Sequence, residues 1–298
     1  MRPERRLLLT RRSFGLGVTA SAVAAPAFAD GPAPSIFAEV EAKTGGRLGV
    51  AALDTASGER LSHRENERFP MCSTFKTLAV SAVLARIDTG EEKLDRRVAY
   101  SHADLLPHSP ITEAHLGEGA LPMEMLLFAA ITQSDNAAAN LILASLGGPA
   151  EVTRFARSIG DDVTRLDRNE MTLNTAIPGD PRDTTSPAAM VHDYRSLCLS
   201  RTLSNPSREK LIGWLKSNRT GDSRLRAGLP SVWAIGDKTG TGTNGTANDV
   251  AIAWAPHGPI IVAAYLTGAT GSDAAQDAAL AEVGRIVAAN FLESVTVG

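Results

Sequence analysis

Phe69-Pro70-Met71-Cys72-Ser73-Thr74-Phe75-Lys76-Thr77-Leu78-Ala79-Val80-Ser81-Ala82-Val83-Leu84 is the stretch on which the reading of this 298-residue chain turns. Before it the sequence is strand-like, with Arg47 to Leu53 and Glu59 to Arg64 flanking a turn at Thr55-Ala56-Ser57-Gly58. From Thr74 onward the character changes to helical runs, predicted over 73–87, 122–131, 135–146, 149–158, 186–199 and 207–217. Pro-, Gly- and Asp-rich connectors separate them. Strand character returns near 231–237, 247–255 and 259–267. An apolar-periodic helix over about 273–292 ends the chain, and another over Ser35 to Lys43 precedes the first strand. Strands at both ends with helices between imply a discontinuous α/β architecture. Residues 30–66 and 218–298 build an α/β domain whose short connections demand an antiparallel sheet. Residues 67–217 build an all-helical domain, and the cleft between the two is the natural place for a site.

The same stretch carries chemistry. Ser73 and Lys76 stand three apart, which on a helix puts both on one face with the amine near the hydroxyl. Free N–H groups of a first helical turn could stabilise an oxyanion there. A Ser at such a place is more commonly only a cap. Lys76 argues otherwise, because an amine among apolar residues is desolvated and its pKa is depressed.

Three more motifs follow in order. Ser134-Asp135-Asn136 reads either as a cap for the helix after it, worth ~1 kcal/mol, or as a proton relay (Ser134) with an amide ligand (Asn136). Arg168-Asn169-Glu170-Met171-Thr172-Leu173-Asn174 lies in an aperiodic segment, about 165–183. An Arg168–Asp183 pair would close that segment into an Ω loop and hold Glu170 inward, where Asn174 shares a water with it. Arg165 and Arg182 read as surface charges. Lys238-Thr239-Gly240-Thr241-Gly242 sets a positive charge, hydroxyls and glycines along a strand edge, which suits a carboxylate ligand. Arg224 either adds a second positive charge or is an ordinary exposed arginine. The set supplies a nucleophile, a base, a relay, an anion clamp and a water-activating carboxylate, as acyl transfer through a serine ester and its hydrolysis require.

Each motif alone is weak. Ser207-Arg208-Glu209-Lys210 and Lys43-Thr44-Gly45 repeat two of them. Context separates the copies: Ser207 opens a solvated helix, and Lys43 ends a helix at Gly45-Gly46, where a basic residue suits the dipole.

Composition bounds the rest. With 43% apolar and 21% charged residues, the chain has ample material for a core. A formal charge of −3 leaves no basic footprint for nucleic acid. Thr10-Arg11-Arg12-Ser13-Phe14-Gly15-Leu16 looks like a twin-arginine export signal, followed by a weakly apolar stretch from Gly15 to Ala25 and a cleavage site at Ala27-Phe28-Ala29. Residues 1–29 carry five arginines against one glutamate, so their removal turns −3 into −7. The mature protein is then expected to be acidic, periplasmic or secreted. No other apolar stretch approaches the ~20 residues of a membrane span. Two cysteines in an exported protein invite a disulfide. Yet Cys72 adjoins the nucleophile at a helix start and Cys198 lies in a separate helical run, which favours two free buried thiols. The six histidines show no His-x-His or His-Glu-x-x-His spacing, so neither metal nor cofactor is expected. A monomer is expected.

These motifs, in this order, resemble those of the class A serine β-lactamases over essentially the whole mature length. Phe69-Pro70-Met71-Cys72, Arg182-Asp183-Thr184-Thr185 and the run from Gly221-Asp222 to Arg226-Ala227-Gly228 add to the likeness. The resemblance implies an antiparallel sheet flanked by helices, an all-helical domain, and hydrolysis of β-lactam antibiotics through an acyl-enzyme. It implies that Ser73 attacks the lactam carbonyl, its proton passing to Lys76 or through a water to Glu170. It implies an oxyanion hole from the N–H groups of Ser73 and Thr241, protonation of the lactam nitrogen by Ser134, and capture of the substrate carboxylate by Lys238, Thr239, Gly240, Thr241 and Arg224. Asn136 orients the acylamino side chain, Glu170 with Asn174 activates the deacylating water, and His108 matches a position at the cleft entrance that is often aromatic.

Three positions depart from common family patterns. Met171 stands where many members have a proline after a cis peptide. The strand after Lys238-Thr239-Gly240 has Thr246-Ala247-Asn248-Asp249 where many carry a carboxylate-binding arginine, a role that falls here to Arg224. Gly242 replaces a cysteine that certain carbapenem-hydrolysing relatives bridge to the residue before the nucleophile. Two other readings share parts of the pattern: a penicillin-binding peptidoglycan DD-peptidase or transpeptidase, and a binder acylated once. Glu170 in its Arg168-x-Glu170-x-x-Leu173-Asn174 setting favours turnover.

Overall fold

The computed structural model describes residues 35–296; the export signal and cleavage site expected from the sequence lie outside them. Helix α1 (Ala38–Thr44) ends at Gly45, whose φ of +67° is a left-handed cap that glycine adopts freely. Strands β1 (Arg47–Asp54) and β2 (Arg60–His63) follow, then β3 (Phe69–Pro70), a 3-10 turn at Cys72–Thr74 and α2 (Phe75–Asp88). The middle of the chain holds β4 (Arg97–Ala99), α3 (Pro110–Ala114), β5 (Ala120–Pro122), α4 (Met123–Thr132), α5 (Asn136–Leu146) and α6 (Pro149–Ser158). After a 3-10 turn at Thr172–Thr175 come β6 (Thr184–Thr185), α7 (Pro187–Leu199), α8 (Asn205–Lys216) and the single turn α9 (Leu225–Gly228). The chain returns as β7 (Ala234–Gly242), β8 (Thr246–Ala255), β9 (Gly258–Thr267) and α10 (Asp273–Thr296). Proline in the first turn and a serine cap start α7 and α8, a pattern that spends the missing N–H where it costs nothing.

The main sheet has the order β2-β1-β9-β8-β7, antiparallel throughout. Leu48, Val50 and Ala52 of β1 face a core shared with Val40, Leu225, Leu280, Val283 and Val287, so α1, α9 and α10 cover that side. Ala51 and Leu53 face the opposite core with Phe75, Leu78, Met190, Tyr194 and Leu215, so α2, α7 and α8 meet the other side. Both faces are buried, which is why these strands read as continuous apolar runs rather than as alternating ones.

Two expectations need correction. The strand predicted to stop near residue 237 runs on to Gly242, through Lys238-Thr239-Gly240; its polar residues and glycines sit on an edge strand that faces a cleft. The span 67–217 is not purely helical. It contains two short antiparallel ladders, β3 with β6 and β4 with β5. Strands of two or three residues are too short to show a period. The first ladder matters, because it ties the chain entering the Ser73 turn to the end of the Ω loop.

Candidate active site

The nucleophile candidate sits where β3 turns into α2. Cys72 is left-handed (φ +46°), and the following 3-10 turn presents Ser73, which is only 8% exposed. Thr74 stiffens the turn by donating to Met71 O at 2.9 Å and pairing with the Tyr265 hydroxyl at 3.0 Å. Lys76, in the first turn of α2, is fully buried. Its Nζ lies 3.0 Å from Glu170 Oε1 and donates to Ser134 O and Asn136 Oδ1, each at 2.7 Å, and to Ser134 Oγ at 3.3 Å. Ser73 Oγ donates to the same Glu170 Oε1 at 3.2 Å. Serine and amine therefore meet on one carboxylate oxygen. Burial pulls the Lys76 pKa down, against the pull of the Glu170 charge.

The two readings of Ser134-Asp135-Asn136 divide between neighbours. Asp135 caps α5, accepting from Ala138 N at 2.9 Å, and also binds the N–H groups of Ile111 and Thr112 at 3.0 Å. Ser134, left-handed with φ +54°, is thereby released toward the cleft. Its Oγ stands between two amines, 3.3 Å from Lys76 Nζ and 3.0 Å from Lys238 Nζ. Asn136 gives its oxygen to Lys76 and donates from Nδ2 to Pro107 O at 2.9 Å.

The Ω loop closes as its charges predict. Arg168 Nε meets Asp183 Oδ2 at 2.5 Å, and Asp183 Oδ1 accepts from the N–H groups of Asp167 and Arg168. Arg165 and Arg182 pair with Asp167 and Asp180 at the surface. Inside the loop Glu170 is 5% exposed, and its Oε2 accepts from Asn174 Nδ2 at 2.6 Å. The Glu170–Met171 peptide is cis. Asn140, which sequence reasoning passed over, clamps the backbone of Glu170 with both ends of its amide, at 2.9 and 3.0 Å. A signal was available: Asn140 is a polar residue in an apolar helix, four residues after Asn136 and so on the same face.

Strand β7 forms the opposite wall. A Cβ on Gly240 would lie 2.6 Å from Met71 O and 3.2 Å from Ser73 N; one on Gly242 would lie 2.6 Å from Asn174 O and 2.7 Å from Cys72 Sγ. Only glycine lets the strand run so close to the nucleophile turn. Lys238 is fully buried and donates to Ser134 Oγ and, at 2.9 Å, to Thr239 O. Burial, with the nearby Lys76 charge, brings its pKa down to about 7. Thr239 Oγ1 pairs with Thr220 Oγ1 at 2.5 Å. Arg224 is no surface arginine. It is 8% exposed, with Nε on Asp277 at 2.7 Å, Nη1 on the carbonyls of Gly240 and Asn248, and Nη2 on Thr241 Oγ1 at 2.8 Å.

The cleft between these walls has a volume of ≈ 500 Å³. Ser73, Ser134, Asn136, Met171, Asn174, Arg224, Thr239, Thr241, Gly242 and His108 line it, together with Thr175, Thr220 and Thr243, which the sequence did not single out. Lys76, Glu170 and Lys238 stand behind that lining. His108 is held at the rim by Nε2 on Gln133 O at 2.9 Å. Cys72 and Cys198 are free, buried thiols, and burial pushes the Cys198 thiol up to about 12. Among the described residues no group of three or more His, Cys, Asp or Glu side chains could hold a metal ion, and no helix is long and apolar enough to cross a membrane.

Comparison with known proteins places this geometry. A model of the β-lactamase enzyme family matches residues 33–291. The β-lactamase AST-1 of Nocardia asteroides is 49% identical over 271 residues, spanning 91% of this chain and 84% of that protein. The carbapenem-hydrolysing β-lactamase KPC of Klebsiella oxytoca is 48% identical over 253 residues, 84% of this chain and 86% of its own length. Among solved structures, the class A β-lactamase of the last common ancestor of Gram-negative bacteria superposes with a TM-score of 0.84 at 59% identity, covering 86% of this chain and 97% of that one. A putative class A β-lactamase, PenP from Rhodopseudomonas palustris, gives 0.84 at 57% identity, covering 85% and 97%.

Proposed function

The chain belongs to the class A β-lactamases and hydrolyses β-lactams, and from that premise we propose that its acyl-enzyme forms on Ser73 and is cleared by water that Glu170 activates. The observation that carries this is the shared oxygen: Glu170 Oε1 holds both Ser73 Oγ and Lys76 Nζ at hydrogen-bond distance. A proton leaving Ser73 has a path to the carboxylate and its paired amine. Lys76 Nζ also touches Ser134 Oγ, which touches Lys238 Nζ. Ser134 can thus deliver a proton to the departing lactam nitrogen while drawing one from an amine. Once Ser73 is an ester its oxygen no longer donates, and Oε1 becomes free to accept from a water. Asn174, fixed on Oε2, limits where that water sits.

The remaining roles follow the same division. Lys238, Thr239, Thr241 and Arg224 receive the substrate carboxylate beside Gly240; the N–H groups of Ser73 and Thr241 form the oxyanion hole. Asn136, with one amide hydrogen left after Pro107, orients the acylamino group, and His108 borders its entry. Residues 30–66 and 218–298 act as the lobe carrying the carboxylate clamp, and 67–217 as the lobe carrying the nucleophile. Export through the twin-arginine route to the periplasm, and action as a monomer, complete the proposal. A peptidoglycan DD-peptidase or a single-turnover binder is not favoured, since the family match and the relatives named above are β-lactamases.

Intact-protein mass after exposure to a chromogenic cephalosporin tests the assignment. Ser73→Ala should gain no adduct and lose hydrolysis. Glu170→Ala should accumulate the acyl adduct and turn over slowly. Parental turnover in Glu170→Ala would remove the carboxylate from the mechanism.

A further inference from the structure

Glu170 is pinned from two directions by different parts of the fold. Asn140 of α5 holds its backbone. Its Oε2 is held by Asn174; Arg168 reaches the next residue, Nη1 donating to Thr175 Oγ1 at 3.0 Å, but makes no hydrogen bond to Asn174 itself. The backbone oxygen of Asn174 instead accepts from Thr243 N at 2.9 Å, in the turn between β7 and β8. The next two carbonyls are caught by the same turn. Thr175 O accepts from Thr243 Oγ1 and, at 3.1 Å, from Asn244 Nδ2; Ala176 O accepts from Asn244 Nδ2 at 2.9 Å. These three oxygens end the 3-10 turn Thr172–Thr175, where helical carbonyls have no partner of their own.

The turn is built for this reach. Asn244 and Gly245 both have φ +55°, which asparagine tolerates and glycine adopts freely. A side chain at Gly245 would drive into Ala269 O. On its far side the turn is bound as well, Gly268 N donating to Asn244 O at 2.7 Å and Ala269 N to Gly245 O at 3.2 Å. Asn244 is thus mounted on the sheet and faces the Ω loop.

We propose that Thr243 and Asn244 form a latch that positions Asn174, and through it the Glu170 carboxylate, for the deacylation step. They are positioning residues; neither touches the reacting atoms. The proposal rests on Glu170 being the deacylating group. Ser73 and Lys76 hold Glu170 Oε1 on their own, at 3.2 and 3.0 Å, and make no hydrogen bond to the latch, so acylation should suffer less than deacylation. A displacement of Asn174 by a fraction of an ångström would misplace the water, and misplacement of that order costs up to ~10²-fold.

The test is pre-steady-state kinetics of one cephalosporin, separating acylation from deacylation, on four variants beside the parent. Asn244→Gly keeps the left-handed backbone and removes the clip. It should slow deacylation ~10-fold, raise the standing acyl-enzyme and leave the acylation rate within about twofold. Thr243→Val should act in the same direction, and Thr243→Ser, which keeps the hydroxyl donor, should restore the parental rate. Unchanged deacylation in Asn244→Gly overturns the latch, as does an equal fall in both steps, which would mark a general loosening of the fold. Glu170→Ala separates the two readings. If it accumulates acyl-enzyme while Asn244→Gly does not, the latch alone fails; if it turns over at the parental rate, the reading beneath it fails.

Discussion

The two walls of the cleft handle charge in opposite ways. On the helical wall the two cations meet carboxylates: Lys76 with Glu170 at 3.0 Å, Arg168 with Asp183 at 2.5 Å. On the strand wall Lys238, equally buried, donates only to neutral oxygens, those of Ser134 and Thr239. Arg224 has one carboxylate, Asp277, on Nε, and neutral oxygens on its other nitrogens. The acids nearest Lys238 along the sheet are spent elsewhere. Asp237 binds Arg226 and Asn218, Asp249 accepts from Leu225 N, and burial pushes both carboxyls up. A buried cation with no direct counter-ion is costly. A substrate carboxylate would relieve that cost, so the strand wall is half of an ion pair, whereas the cations of the helical wall already have their carboxylates.

Removing the amine of the helical wall should have the larger effect. In Lys76→Ala, Glu170 is left as a buried carboxylate without its cationic partner. Hydrolysis should fall ~10³-fold, and unfolding in urea should show a loss of ~3 kcal/mol, the usual cost of breaking a buried pair from one side. A variant as stable as the parent would mean that the Lys76–Glu170 pair is not the closed unit described.

Lys238→Ala should behave differently. The substrate carboxylate loses a charged donor, so KM should rise ~10–100-fold, with a smaller change in kcat. Folding should be unharmed or gain ~1 kcal/mol, because the residue removed is a buried cation without a counter-ion. Destabilisation as large as that of Lys76→Ala would erase the contrast between the walls.

This asymmetry was only half legible in the sequence. Residue types and their order point to the four motifs, and apolar periodicity places the long helices and the sheet within a few residues. Arg168 with Asp183 was readable because two opposite charges bracket an aperiodic loop. Three things were not readable. Arg224 looks locally like any exposed arginine, and only the packing of its loop against β7 buries it. Lys238-Thr239-Gly240 suggested a strand edge, but the strand's extent to Gly242 did not show, since a strand that touches a cleft on one side has no apolar alternation to show. Thr220 and Asn244 act through contacts 19 and 69 residues away in the chain, and no local pattern marks such partners. The capping question at Ser134-Asp135-Asn136 had two answers, and the fold uses both, on adjacent residues.

The smallest and sharpest test of the comparison is pH. Lys238 ordinarily titrates near 10.5 and in the fold near about 7. Between those values the unfolded chain binds the extra proton, so stability should rise with pH across that window. The cost of burying the charged amine is fully present below about 7 and is relieved above it. Binding runs the other way. As the amine loses its proton, the carboxylate clamp weakens, and kcat/KM should fall along an alkaline limb starting near pH 7, ~10-fold per unit. The limb in kcat should lie higher, because bound carboxylate favours the charged amine. Lys238→Arg keeps the charge at all working pH values. It should flatten the kcat/KM limb, whatever it does to the rate at neutral pH. A limb that persists unchanged in Lys238→Arg would assign the titration to Lys76 instead, and the strand wall would then hold a permanently charged clamp rather than one that substrate completes.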